Sequence, residues 1–146
     1  MRISAVVRNS LSAHEVTVST SGSRKALAVP PKTGSAGSSV NGGEFLMLAL
    51  ATCYCNDLYR EAAQLGIAIE AVHVEASAKF ARIGLAATDI RHAAQVTSNA
   101  PADRIAELLR ETDAVAEVHN TLRQGAAVTL VQVTDAPSHA ASLGIL

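Results

Sequence analysis

Two cysteines, no tryptophan and a formal net charge of −1 leave this 146-residue chain without several common kinds of specialised chemistry. Two cysteines cannot build the disulfide framework that staples small secreted domains. Aromatic residues are only 3% of the chain, so stacking platforms for bases or sugars are not expected. A balanced charge offers no electrostatic footprint for nucleic acid or an anionic membrane. The longest apolar stretch, Phe45 to Ala51, is far too short to span a bilayer. The start, Met1-Arg2-Ile3-Ser4, lacks the apolar run and small-residue cleavage site of a signal peptide. These absences point to a cytoplasmic protein with reduced thiols and neither nucleic acid nor membrane as a partner.

What is present is an alanine-rich apolar composition, 49% hydrophobic, over a length suited to one domain. A single domain over residues 1–146 is expected, with residues 137–146 as a flexible tail or a segment that docks on a partner. Alanine offers little bulk per side chain, so close helix packing or an oligomer interface has to supply the missing buried area.

The pattern along the chain is α+β. Ile3 to Val7, His14 to Thr20 and Lys25 to Val29 read as three short strands, with Ser21-Gly22-Ser23 a tight turn and Pro30-Pro31 a stop. Residues Thr33 to Gly43 are rich in Gly and Ser and read as a mobile loop. Phe45 to Leu65 reads as one long helix ending at Gly66, apolar all round in its first half and amphipathic in its second. Ala71 to Phe80 alternates strictly, with Val72, Val74, Ala76, Ala78 and Phe80 facing inward, and Asp89 to Thr97 returns as its hairpin partner. Pro101 opens a helix with Ile105, Leu108, Leu109 and Thr112 inward. A break near Thr112-Asp113 precedes a second short helix through Leu122, and Ala127 to Val133 reads as a final strand.

Cys53 and Cys55 both fall on the long helix, where a spacing of two sends their side chains about 200° apart. Their sulfurs cannot meet while the helix is intact. Cys55 shares a stripe with Leu48, Ala51, Leu58, Ala62 and Leu65, an apolar face that keeps a thiol inert. Cys53 shares one with Leu46, Leu50, Asp57, Arg60 and Gln64, which turns polar just past the thiol. Cys53 is therefore the candidate reactive thiol and Cys55 a secondary one. Asp57 would raise the thiol pKa by like-charge repulsion, so activation needs a cation from elsewhere. The group Asp57, Arg60 and Glu61 reads most simply as surface pairing on the helix.

Other chemistries find little support. The five histidines have no metal-ligand spacing, and His73 and His92 fall on strands where an exposed face is their ordinary setting; no metal site is expected. Gly34, Gly37, Gly42 and Gly43 fit no phosphate-binding fingerprint, and no G-x-S-x-G elbow occurs.

The string Asn41-Gly42-Gly43-Glu44-Phe45-Leu46, followed by Ala49-Leu50-Ala51-Thr52-Cys53-Tyr54, resembles the OsmC/organic hydroperoxide resistance (Ohr) family. Gly66 to Phe80 and Val118-His119-Asn120-Thr121-Leu122-Arg123 are similar to its later segments. The resemblance implies an OsmC-like fold in which two chains interlace as a homodimer around their cysteine helices. It also implies a thiol peroxidase without a cofactor, in oxidative stress defence: a cysteine attacks an organic hydroperoxide, and an external thiol reductant resets it. On that pattern Cys53 is the peroxidatic cysteine, Arg8 its cation and Glu44 the residue that positions the arginine. The chain departs from the pattern twice. By spacing, the glutamate falls on Gly43, one residue before Glu44, and the resolving cysteine falls near Ala116, with Glu117 where proline is usual. The alternative is a dimer that keeps the fold to bind a small apolar or thiol-reactive ligand without turnover.

Overall fold

The computed structural model describes residues 1–131. The expected tail at 137–146 and the last two residues of the expected final strand lie outside them. Contacts divide the described residues into two compact units, Met1–Asn41 with residues 127–131, and Gly42–Ala126.

The first unit is an antiparallel sheet in the order β1-β2-β3, formed by Ile3–Asn9, His14–Thr20 and Ser23–Leu27. Ser21 and Gly22 both have positive φ, the conformation of a two-residue hairpin turn whose twist matches its strands. The register pairs Val7 with Val16 and Arg8 with Glu15. The sheet carries little core of its own: Val16 is its one buried residue among those described. The Gly- and Ser-rich segment after β3 is more ordered than its composition suggests. Pro31 bridges Ser38, the Lys32 amide donates to Gly37, and the Gly37 amide donates to Asn9 Oδ1 at 3.0 Å. Residues Ala127–Val131 form no strand, against the expectation for that stretch.

The second unit is built on α1, Gly42–Gln64. It ends as expected at Gly66, whose φ of 68° lets the Ile67 amide reach back to the Ala62 carbonyl at 2.8 Å. The hairpin of β4 (Ala71–Lys79) and β5 (Thr88–Thr97) packs its inner face on this helix. Val72, Val74, Ala94 and Val96 lie against Tyr54, Leu58, Ala62, Ile67 and Leu108. Phe80 falls just past β4 and is exposed. α2 (Ala102–Val115) and α3 (Glu117–Gln124) complete the unit. The break between them comes at Ala116, three residues later than the sequence suggests, because Thr112 is fully buried and the helix carries it through the core.

α1 is not covered on every side. Leu48 and Tyr59 are 56% and 49% exposed, so one face of this helix is open in the single chain. The all-round burial expected of its first half is met only on the face of Leu50 and Tyr54.

Leu108 has no exposed surface and sits at the meeting of α1, α2 and the hairpin. Leu108→Ala is expected to cost about 2–5 kcal/mol, read from the urea midpoint at unchanged slope. A loss below about 1 kcal/mol would mean that this core is not the one holding the unit together.

Candidate functional site

One helical turn relates Cys53 to Asp57, and the next relates Asp57 to Arg60 and Glu61. The face they share is the one that α3 approaches. Asp57 is only 4% exposed and Glu61 8%, which corrects the reading of these charges as surface pairing. A buried carboxylate needs a partner, and Arg60 serves both: Nη1 lies 2.7 Å from Asp57 Oδ1 and Nε 2.8 Å from Glu61 Oε1. The same Nη1 is 3.9 Å from Glu117 Oε1, so the first residue of α3 joins the group.

Cys53 is half-buried beside these charges. Its thiol donates to Asp57 Oδ2 at 3.4 Å and lies 3.9 Å from Glu117 Oε2. Burial pushes the Cys53 thiol up from the ordinary cysteine value. A hydrogen bond from the Val118 backbone at the start of α3 opposes this, and the carboxylates of Asp57 and Glu117 add to the rise. The thiol is thus held in its protonated form at neutral pH, with a carboxylate aimed at its proton.

Sγ and the carboxylate oxygens of Asp57 and Glu117 lie within 4.8 Å of one another, the one such trio among the described residues. A divalent ion there would have to share the carboxylates with Arg60, whose positive charge already balances them. The donor set fits a proton-holding site better than a metal centre.

The other expected residues fall elsewhere. Arg8 is exposed on β1 in the first unit. Glu44 stands in the first turn of α1, nine residues before Cys53, so about 13 Å of helix rise separates the two. It suits the positive end of the helix dipole there. Cys55 is half-buried as well, on the side of α1 away from Cys53. Ala116, the position of a resolving cysteine, is fully buried, and Glu117 is the side chain that this corner brings to the sulfur.

The second unit also holds an aromatic cluster that the sequence pattern did not reveal. The buried Tyr54 ring meets His92 at 4.7 Å and His119 at 5.6 Å, and the two imidazoles meet edge-on at 4.5 Å. His92 faces inward, against its expected exposed setting. Its partner in the register is Ala76, on the inner face of β4, and strand parity alone would have placed it there. Burial pushes Tyr54 up to about 12, and its hydroxyl donates to the Leu109 carbonyl at 2.8 Å. His119 is 4% exposed, and neither of its ring nitrogens has a partner. Burial, with the nearby His92 and Arg123, lowers its pKa from the ordinary 6.5.

A small α+β unit that carries a thiol on its central helix, against the start of a late helix, defines a class before any relative is considered. The family model for OsmC-like proteins matches residues 34–131. The chain belongs to the OsmC-like family. Solved structures agree on the fold. An OsmC-like protein from Mycoplasma pneumoniae superposes with a TM-score of 0.58 at 21% identity, over 84% of this chain and 86% of that one. An OsmC-like hydroperoxide resistance protein from Jannaschia sp. gives 0.53 at 17% identity, over 92% of each chain. An organic hydroperoxide resistance protein from Legionella pneumophila gives 0.54 at 17%, over 82% of this chain and 89% of that one. No curated protein matches significantly. Among the described residues, no helix is long and apolar enough to cross a membrane.

His119 supplies a prediction of stability. A histidine whose folded pKa lies below its unfolded value stabilises the protein fully above about 6.5 and loses that contribution as pH falls through the folded pKa. Urea unfolding between pH 7.5 and 5, both near the range where histidine titrates, is expected to show falling stability. His119→Gln, which cannot titrate, should reduce the slope; an unchanged slope would put the acid sensitivity on another group.

Proposed function

We propose that the protein is a thiol-dependent peroxide reductase acting on organic hydroperoxides through Cys53 alone. The observation that carries this reading is the 3.4 Å contact of the Cys53 thiol with Asp57, a buried carboxylate held by Arg60. The sulfur attacks the distal oxygen of R–O–O–H; the S–O bond forms as the O–O bond breaks. The thiol proton passes to Asp57 and on to the departing alkoxide, giving Cys53 sulfenic acid and the alcohol R–OH. An external thiol then condenses with the sulfenic acid, releasing water, and a second thiol frees Cys53 as a disulfide leaves. No protein cysteine resolves the sulfenic acid, since Glu117 occupies that corner.

In this reading Arg8 is the candidate cation for the developing thiolate and Glu44 the candidate residue that positions it, in a homodimer whose second copy covers the open face of α1 at Leu48 and Tyr59. A cytoplasmic location, with its thiol reductants, fits the mechanism.

The raised thiol favours a second reading. In it Cys53 stays neutral, and the dimer binds a small apolar or thiol-reactive ligand without turnover.

Kinetics separate the two. Reduced protein treated with cumene hydroperoxide should form Cys53 sulfenic acid far faster than free cysteine reacts, with the rate rising as pH increases, and Cys53→Ser should not react. A rate no faster than free cysteine rejects the reductase. Asp57→Asn should slow the step by roughly 10²-fold if the carboxylate moves the proton. Glu117→Gln, which removes a charge that keeps the thiol protonated, should speed it at neutral pH. A slower Glu117→Gln enzyme would contradict the electrostatic account.

A further inference from the structure

The corner between α2 and α3 is fastened from both sides. Ala116 is fully buried there, and its carbonyl accepts the Asn120 amide at 2.9 Å. The Asn120 side chain donates to the Ala114 carbonyl at 2.9 Å, and Arg123 binds both the carbonyl and the carboxylate of Asp113. The Glu117 backbone is held as well, its carbonyl accepting the Thr121 hydroxyl at 2.7 Å. The Glu117 side chain, by contrast, is 72% exposed and ends 3.9 Å from the Cys53 sulfur. A fixed corner thus keeps a solvent-facing negative charge beside the thiol.

The charges around it do not cancel it. Asp57 is the other carboxylate at the sulfur, and Arg60 is engaged with Asp57 at 2.7 Å and with Glu61 at 2.8 Å. Its approach to Glu117, at 3.9 Å, is longer than a hydrogen bond. Three carboxylates therefore stand against one guanidinium. The balance stays negative even if one further cation joins, such as Arg8 in the peroxide reading. Any thiol that reacts at Cys53 must bring its sulfur to bonding distance of Sγ, and its own substituents then pass close to Glu117. At such separations unit charges interact appreciably even through water.

We infer that Glu117 selects the external thiol by charge: the site takes a small thiol with a positive group near its sulfur and rejects one with a carboxylate there. The identity of the step rests on the peroxide reading. In that step the thiol sulfur attacks Cys53 sulfenic acid, an S–S bond forms as the S–O bond breaks, and the hydroxyl leaves as water with the thiol proton. A second thiol then attacks the outer sulfur of the mixed disulfide, and Cys53 leaves as the reduced thiol. Both steps carry the same substituents past Glu117.

Thiol–disulfide exchange reads the selection without peroxide, because the same mixed disulfide forms when Cys53 attacks a small disulfide and expels one thiolate. Cystamine, which is cationic, and dithiodiglycolate, which is anionic, serve as probes in a Cys55→Ser background. Their rates with 2-mercaptoethanol correct for intrinsic reactivity. The corrected ratio of cystamine to dithiodiglycolate rates is expected to be about tenfold at low salt and to fall at high salt. Glu117→Gln should cut that ratio to about a third, whereas Glu117→Asp, which keeps the charge, should retain a preference for cystamine. A shifted thiol pKa alters both rates equally, so the ratio separates selection from the effect of Glu117 on Cys53 itself. The inference is overturned if the corrected ratio is near one, if dithiodiglycolate reacts faster, if Glu117→Gln leaves the ratio unchanged, or if Cys53 reacts with neither probe. Failure of the peroxide reading shows instead as absent sulfenic acid, with this ratio unaffected.

Discussion

Everything in the second unit depends on the period of α1. A turn of 3.6 residues carries Leu50, Tyr54, Asp57, Leu58, Glu61 and Ala62 onto the covered side of one helix. Most of that side is ordinary core, closed by β4, β5 and α2. Asp57 and Glu61 are the exception. Two carboxylates in a packed seam are tolerated because Arg60, half-exposed on the same helix, reaches both of them. Cys53 lies one turn above that pair, so the arrangement that satisfies the buried charge also determines what surrounds the thiol.

The electrostatics set this site apart from a thiol poised by a nearby cation. Desolvation and the carboxylates of Asp57 and Glu117 hold the Cys53 proton in place, while the Val118 backbone at the head of α3 pulls the other way. The balance favours the thiol. A chemistry consistent with it moves the proton during the reaction instead of removing it beforehand, and Asp57 is the acceptor within reach. Arg60 then keeps the carboxylate oriented. The family relation accounts for the fold, and the charges around Cys53 are read from the geometry of this chain.

Local pattern made much of the fold readable. Strict alternation identified Ala71–Lys79, positive-φ residues marked the turn at Ser21-Gly22, and Gly66 closed the long helix where expected. The setting of Cys53 on α1, half-buried where the helix face turns polar, was legible too from helical stripes. Asp57 was legible as the thiol's charged neighbour one turn on, but its burial was not, and Glu117 was not legible at all. The first looks like half of a surface ion pair until α3 arrives to cover it, and that contact joins residues 64 positions apart. His119 was hidden for the same reason: its burial comes from β5 and α1, not from its own helix. His92 is different, because its pairing with Ala76 follows from strand parity once the hairpin register is known.

The central claim is that Asp57 holds the proton of Cys53. Titration of the thiolate by ultraviolet absorbance, in a Cys55→Ser background so that Cys53 is the only thiol, tests it most directly. The account predicts that Cys53 titrates above the ordinary cysteine range and that Asp57→Asn brings it down. A thiol that already titrates below that range, or one that Asp57→Asn leaves unmoved, would contradict it.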